Sequence, residues 1–362
     1  MMKDQTATGT NTQKVGWKAP SNIALVKYWG KRAGQIPENA SLSMTLDQCC
    51  TTTYLSFRPK EHAGQGIDME YLFHGQKKAK FSEKTVGILS GLLIELPFLA
   101  DFRLVFESEN NFPHSAGIAS SASSMAAMAL CLVSMEEVVT NRKFTDEDFF
   151  RRASTLARHG SGSASRSVYG GIVSWGKIAS VSQSADEYAT PFPLEEESRL
   201  NHMRDIILIV SSEEKSFSSS SGHASMANHP YREGRKIQAN TNLDQITTAI
   251  QENNYLALAE ISENEALSLH ALLLSSCPGI RLLQPNTLRI IDEIVRFRER
   301  TGLDLFFTID AGPNVHLIYF EDQREVVLPF VQNTLSRYCE NGAWIDDKIG
   351  SGPQNLILEK AN

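Results

Sequence analysis

Asn111-Phe112-Pro113-His114-Ser115-Ala116-Gly117-Ile118-Ala119-Ser120-Ser121-Ala122-Ser123-Ser124 is a run of mostly small residues that opens directly into a longer apolar segment. Small side chains let a backbone approach a ligand closely. Residues 119–136 continue as mainly Ala, Ser, Met and Leu with neither Pro nor Gly, which predicts a buried helix starting at the loop. The first N–H groups of such a helix lack intrahelical partners, and the positive end of its dipole faces the loop. That combination binds phosphate. The hydroxyls of Ser120 and Ser121 can add to the anion or to a metal ion it carries. A small-residue helix start chosen only for tight packing would look the same. The segment matches neither GxxxxGK[ST] nor GxGxxG, so those nucleotide fingerprints do not apply.

Outward from this loop, residues 49–57 and 102–107 read as strands, as do 171–175 and 206–211. Thr145 with Asp148 resembles a loose capping box for a helix running toward Arg158 and stopping near Gly160. Residues 243–274 are helical in pattern with breaks, and 286–300 form an amphipathic helix. Two apolar strand-like runs, 305–309 and 315–320, flank Asp310-Ala311-Gly312-Pro313-Asn314; a helix at 326–338 and a short strand at 355–358 follow. Strands and helices mix without regular βα alternation, which predicts an α+β fold. A charged stretch near 195–204 suggests a boundary between two lobes, giving a tail at 1–14, an N-terminal lobe at 15–200 and a C-terminal lobe at 201–362.

The 362 residues and 41% apolar composition suffice for two fused lobes with a real core. The formal charge of −7 argues against a nucleic-acid binder, although an acidic protein can still hold anions in a cleft where its basic groups gather. Five cysteines without a CxxC suggest neither a disulfide framework nor a zinc site. The polar start lacks the apolar stretch of a signal peptide, and no uninterrupted apolar run reaches the roughly 18 residues needed to span a bilayer. The expectation is a cytoplasmic protein with no membrane partner.

The loop resembles motif 2 of the GHMP kinase superfamily, and Asn-Asn-Phe-Pro at its head resembles the diphosphomevalonate decarboxylase family in particular. Four further segments agree, in the family's order and across nearly the whole chain. They are Ser21-Asn22-Ile23-Ala24-Leu25-Val26-Lys27-Tyr28-Trp29-Gly30-Lys31-Arg32; Ala157-Arg158-His159-Gly160-Ser161-Gly162-Ser163-Ala164-Ser165-Arg166-Ser167; Asp310-Ala311-Gly312-Pro313-Asn314; and Gly350-Ser351-Gly352-Pro353-Gln354. The resemblance implies a GHMP kinase-like fold with an N-terminal α/β sandwich lobe, a C-terminal ferredoxin-like lobe and the active site in the cleft between them. It implies ATP as co-substrate with Mg²⁺ and mevalonate diphosphate as substrate. The 3-hydroxyl is phosphorylated, phosphate and carbon dioxide leave, and isopentenyl diphosphate remains. Relatives often form homodimers, so a homodimer is among the expected assemblies.

The roles the resemblance implies fall on residues whose chemistry suits them. Asp310 follows an apolar run and precedes a tight turn; it is carried over as the base beside the 3-hydroxyl. An Asp capping its own turn would give the same local pattern. Arg166 can hold the substrate carboxylate through two parallel bonds, with Ser161, Gly162, Ser163, Ala164 and Ser165 forming the turn before it. A solvated Arg on a surface loop is the alternative. Tyr28, Trp29, Gly30 and Lys31 are placed at the substrate diphosphate, Lys27 near substrate or bound phosphates, and Asn22 as a neutral donor near the reacting centre. Pro113, Ser115, Ala116, Gly117, Ala119, Ser120 and Ser121 are expected around ATP, with Ser121 orienting transfer. No protein ligand to the metal is expected, since magnesium keeps phosphate oxygens and water.

Two segments depart from the family. The resemblance implies Lys215 and Ser220 as diphosphate contacts, but Glu213-Glu214-Lys215 keeps one lysine where relatives often carry two, and the loop by itself reads as a flexible serine-rich lid. His114 replaces a Thr or small residue, and Lys84 aligns loosely with an arginine that reaches the diphosphate in some relatives. The nearest alternatives on the same scaffold are a phosphomevalonate decarboxylase and a 3-kinase that stops before carbon dioxide is lost. The joint presence of Lys27, Arg166 and Asp310 favours full decarboxylation.

Overall fold

A computed structural model describes residues 12–62, 64, 66–113, 118–213 and 219–357. Strand β1 (Gln13–Val26) begins inside the segment expected as a tail. It pairs antiparallel with β2 (Ser41–Pro59), from Gln13 opposite Phe57 to Val26 opposite Leu42. The register slips between Pro20 and Asn22 and again between Ala24 and Val26. Pro20 cannot donate to a ladder, so a bulge there is where a proline can sit in a strand.

β3 (Asp68–Phe73), β4 (Gln76–Lys77) and helix α1 (Ala79–Gly91) follow, then β5 (Phe102–Asn110), which pairs with β2 on one side and β3 on the other. Helix α2 (Ser120–Thr140) starts where the loop predicted it, and α3 (Asp146–Gly160) starts at Thr145, whose hydroxyl accepts from the Asp148 N–H at 3.2 Å. α2 is long and apolar enough to cross a membrane by composition, but 78% of its most apolar window is buried inside the protein. It is the core helix of the first lobe, packed with Leu55, Phe57, Leu104 and Phe106. β6 (Ile172–Trp175) and β7 (Ala189–Pro191) complete this half.

The second sheet begins with β8 (Met203–Leu208), earlier than the predicted strand. α4 (Ser219–Ser225), α5 (Arg232–Gln251), α6 (Tyr255–Ser275) and α7 (Pro285–Thr301) come next, then β9 (Phe306–Thr308), β10 (Val315–Phe320), α8 (Arg324–Phe330) and β11 (Trp344–Lys348). The predicted helix at 326–338 is α-helical only to Phe330, with Pro329 inside it; π and 3₁₀ turns continue to Tyr338. Strand order β11-β8-β10-β9 with helices on the crossovers is the ferredoxin-like arrangement. The last strand, β12 (Gln354–Asn355), returns to the first sheet and pairs with β1.

One core crosses between the sheets. Ile23, Leu25, Leu42 and Met44 pack in a single buried cluster with Met203, Ile207, Phe306 and Ile318. A charged clamp fixes the same seam. Glu265 on α6 pairs with Arg235 on α5 at 2.6 Å, accepts the Lys27 backbone N–H at 2.8 Å and the Asn242 amide at 2.6 Å; both members of the pair are buried. Arg235 also reaches the Lys27 carbonyl at 3.2 Å, which Asn39 bonds at 2.9 Å.

Breaking a buried pair strands a charge in the interior at a cost of about 3–5 kcal/mol. Glu265→Ala should lose about that much stability by urea unfolding, and Glu265→Leu with Arg235→Met should recover part of it. A Glu265→Ala midpoint equal to that of the parent would show that the clamp is not holding the seam.

Candidate active site

The bulged end of β1 delivers Lys27, Tyr28, Trp29 and Lys31 to the mouth of the seam. The 3₁₀ turn after α3 brings Ser161, Gly162, Ser163 and Arg166, and the end of β9 brings Asp310. Together with Lys84, Ala119, Ser121 and His223 they line a cleft enclosing roughly 870 Å³ including its open mouth. Three lysines and an arginine face Asp310 in this lining, so a protein of charge −7 concentrates positive charge here. No carboxylate is within ion-pair distance of Lys31 or Lys84 among the described residues. Burial holds both below the ordinary lysine range, and for Lys84 the charge of Lys31 is the second cause.

Lys27 Nζ donates to Asp310 Oδ1 at 2.9 Å and to the Ala24 carbonyl at 2.8 Å. The Lys27 side chain is 2% exposed and that of Asp310 is 25% exposed. Burial lowers the Lys27 pKa, and Asp310 opposes that shift most strongly, with Glu265 behind it. Thr308 Oγ1 donates to the Ala24 carbonyl at 3.1 Å, tying β9 to β1 beside the pair. The Asp310 carbonyl is bonded by His270 Nε2 at 3.1 Å and by the Gly312 N–H at 2.6 Å.

Arg166 is buried, and burial pulls its pKa down to about 10, so it stays charged at neutral pH. Its Nε and Nη2 donate to Asn22 Oδ1 at 3.4 and 3.2 Å, and Nη1 donates to the Ser41 hydroxyl. A guanidinium has five N–H donors, so two remain for a ligand. Asn22, expected as a donor near the reacting centre, is placed differently. Its amide hydrogens go to Ser167 Oγ at 2.7 Å and the Ser163 carbonyl at 3.2 Å, leaving its oxygen to hold Arg166. Ala164 and Ser165 also lie behind the cleft. The Ser165 hydroxyl donates to the Gly162 carbonyl at 2.8 Å and its carbonyl accepts from Ser154, so both residues shape the turn. Gly162 is required by space: a Cβ would come within 2.8 Å of Tyr28 and Trp175.

The Tyr28 hydroxyl and Trp29 Nε1 are buried and have no hydrogen-bond partner among the described residues. Burial raises the Tyr28 pKa, so its hydroxyl keeps its proton. Buried donors without a protein acceptor are left to pair with water or a ligand. Ser121 Oγ is 3.5 Å from Ser161 Oγ, which is 3.4 Å from Ser163 Oγ; these hydroxyls form a row from the start of α2 toward Arg166. Ala119, at φ +43°, leads into α2 without a side-chain cap, and Ala119 and Ser121 bring the start of the helix to the cleft wall. Pro113 is exposed at the loop edge and Ser120 is buried at the helix start. His114, Ser115, Ala116, Gly117 and Lys215 lie outside the described residues, as does the Ser220 side chain. Among the described residues no three His, Cys, Asp or Glu side chains gather as a metal site.

His223, Gln35 and Leu269 line the cleft without a motif to announce them. Glu265 left one signal: it lies on the apolar face of α6 with Leu258, Ile261 and Leu269. A charge on such a stripe must be paired.

A bilobal α+β scaffold with a helix start, free lysines and a buried arginine around one cleft defines a GHMP kinase-type enzyme. Residues 19–187 match the diphosphomevalonate decarboxylase-like N-terminal domain, and residues 205–355 match the mevalonate 5-diphosphate decarboxylase C-terminal domain. The chain is 34% identical over 342 residues to diphosphomevalonate decarboxylase of Aspergillus fumigatus, covering 89% of this chain and 80% of that one. Identity to the Rattus norvegicus enzyme of the same name is 33% over 331 residues, covering 84% and 76%. The structure superposes on mevalonate diphosphate decarboxylase from Staphylococcus aureus with a TM-score of 0.80 at 29% identity, covering 96% of this chain and 99% of that one. A neighbour described as MDDEF in complex with MVAPP, AMPPCP and magnesium gives a TM-score of 0.79 at 28% identity, covering 96% and 100%. The chain belongs to the diphosphomevalonate decarboxylase family.

Acylation of a lysine needs its neutral amine. Removing the like charge at position 31 makes protonated Lys84 easier to form, so Lys31→Met should move the pH profile of Lys84 acetylation by acetic anhydride to higher pH. An unmoved profile would show that the two lysines do not share a field.

Proposed function

We propose that this chain uses ATP to convert mevalonate diphosphate into isopentenyl diphosphate, ADP, phosphate and carbon dioxide. The observation that carries the reading is the Lys27–Asp310 contact of 2.9 Å, made across the lobe seam in the same cleft as Arg166. A tertiary alcohol is a poor nucleophile, and a carboxylate in hydrogen-bond reach orients it and takes its proton. Asp310 has this role: it is partly exposed to the cleft, and the Lys27 ammonium keeps its charge in place.

Arg166 gives its two remaining N–H groups to the carboxylate that leaves as carbon dioxide, which aligns the breaking C–C bond with the departing phosphate. Lys31, Lys84, the Tyr28 hydroxyl and Trp29 Nε1 receive the diphosphate end. The start of α2 and Ser121 receive the ATP phosphates. The row of Ser121, Ser161 and Ser163 hydroxyls supplies the neutral oxygens that would meet magnesium carried on those phosphates. The ion supplies charge neutralisation when bound. Departure of phosphate from a tertiary carbon develops positive charge, which the substrate's own carboxylate favours. Collapse of the substrate carboxylate then forms the alkene. All five cysteines are free, which suits a reducing compartment, and we place the enzyme in the cytoplasm.

The test is a coupled assay of the pure protein with ATP, Mg²⁺ and either mevalonate 5-diphosphate or 5-phosphate, following ADP and carbon dioxide. Equal release of both from the diphosphate is expected. ADP without carbon dioxide would make the enzyme a 3-kinase, and preference for the monophosphate would move its substrate. Asp310→Asn should lower kcat by about 10²–10⁴-fold while keeping the circular dichroism spectrum. Retention of most activity by that variant would remove the base assigned here.

A further inference from the structure

Among the described residues His223 is the one imidazole in the cleft lining, and no motif accounts for it. It sits on α4 with its ring centroid 4.4 Å from that of Tyr28 and 4.8 Å from that of Trp29. The Gly30 backbone N–H donates to its Nδ1 at 3.1 Å. Gly30 holds φ +95°, a conformation that other side chains rarely adopt, and a Cβ there would also come within 3.0 Å of the Glu38 carboxylate. Glu38 is held in turn by Arg232 at the start of α5. The N–H aimed at His223 is therefore fixed by backbone geometry as well as by the ring.

An imidazole nitrogen that accepts a hydrogen bond has no proton of its own. In the neutral ring the proton then lies on the other nitrogen. Nε2–H is thus a donor, and it makes no hydrogen bond to the described residues. Burial, reinforced by the charges of Lys31 and Arg166, pushes the pKa of His223 down to about 3. The ring is therefore neutral at neutral pH.

We propose that His223 is a substrate-positioning donor whose Nε2–H, fixed in that tautomer by the Gly30 N–H, bonds a phosphate oxygen of the substrate on the Lys31 side of the cleft. This rests on the functional reading above and adds to it a neutral, directional donor among the lysines. Lysine ammoniums attract the anion from any direction. A ring wedged between Tyr28 and Trp29 fixes where one oxygen must lie.

The test uses the full chain and inorganic pyrophosphate as probe, titrated by calorimetry. His223→Leu keeps an apolar wedge without a donor and should weaken pyrophosphate about 10–100-fold, the loss of one hydrogen bond to a charged group. His223→Gln restores an N–H and should recover most of it, which a purely structural role for the ring would not predict. Nitrogen-15 NMR of histidine-labelled protein, with the His223 signal assigned by its absence from His223→Gln, should show the proton on Nε2 at neutral pH. Binding by His223→Leu within twofold of the parent, or a proton on Nδ1, would overturn the proposal. Turnover of mevalonate diphosphate by the parent is followed in parallel. Pyrophosphate binding that depends on His223 without any turnover would uphold the donor and reject the reaction. Normal turnover with binding unmoved would reject the donor alone.

Discussion

The buried ammonium of Lys27 is the constraint to which the rest of the cleft answers. Taking a lysine charge out of water costs several kcal/mol, and the group loses its proton unless a negative charge stands close by. Two carboxylates from the second half of the chain supply it. Asp310 arrives just past the end of β9 and touches the ammonium directly, while Glu265 arrives on α6 and holds the backbone of the same residue. Neither contact forms unless the two sheets are seated on each other. The electrostatic demand of one side chain in the first lobe thereby fixes the position of the second, and the apolar cluster across the seam supplies the contact area.

Much of this was legible from local pattern. The helix after the small-residue loop, the cap at Thr145 and the strands beside Asp310 come from short-range chemistry, and they appear within a few residues of their expected bounds. The site residues were legible chiefly through resemblance, because an Asp before Ala-Gly or an Arg after a Gly-Ser turn has ordinary local explanations. Relations between distant segments were not legible. Asn22 has the same sequence whether its amide faces a ligand or Arg166. Only the packing of the 161–167 turn against β1 decides it. β1 itself was hidden because Pro20 and the register slips interrupt its alternation. His223 was missed because its partner is a backbone N–H from nearly two hundred positions away.

The charge distribution is a second point on which whole-chain numbers and local structure differ. A net charge of −7 repels polyanions at long range, yet Lys31 and Lys84 share a recess without a carboxylate partner among the described residues. Two like charges side by side are unfavourable in the absence of ligand, and that strain is relieved when a phosphate enters. Such a site stores affinity in the unliganded protein. It also selects for multiply charged anions, because a single carboxylate offsets only part of the repulsion.

The two carboxylates around Lys27 show how one ammonium can sit between a structural partner and a chemical one. Glu265 is fully buried, and its oxygens are engaged by Arg235, Asn242 and the Lys27 N–H. An acid so engaged has no lone pair in a position to take a proton from substrate. Asp310 is a quarter exposed, meets the ammonium through one oxygen and sits on a turn that opens into the cleft. The Lys27 contact orients Asp310, and Glu265 opposes the effect of burial on the Lys27 pKa from the far side of the residue. In the proposed reaction, proton abstraction by Asp310 therefore depends on a carboxylate that does no chemistry itself.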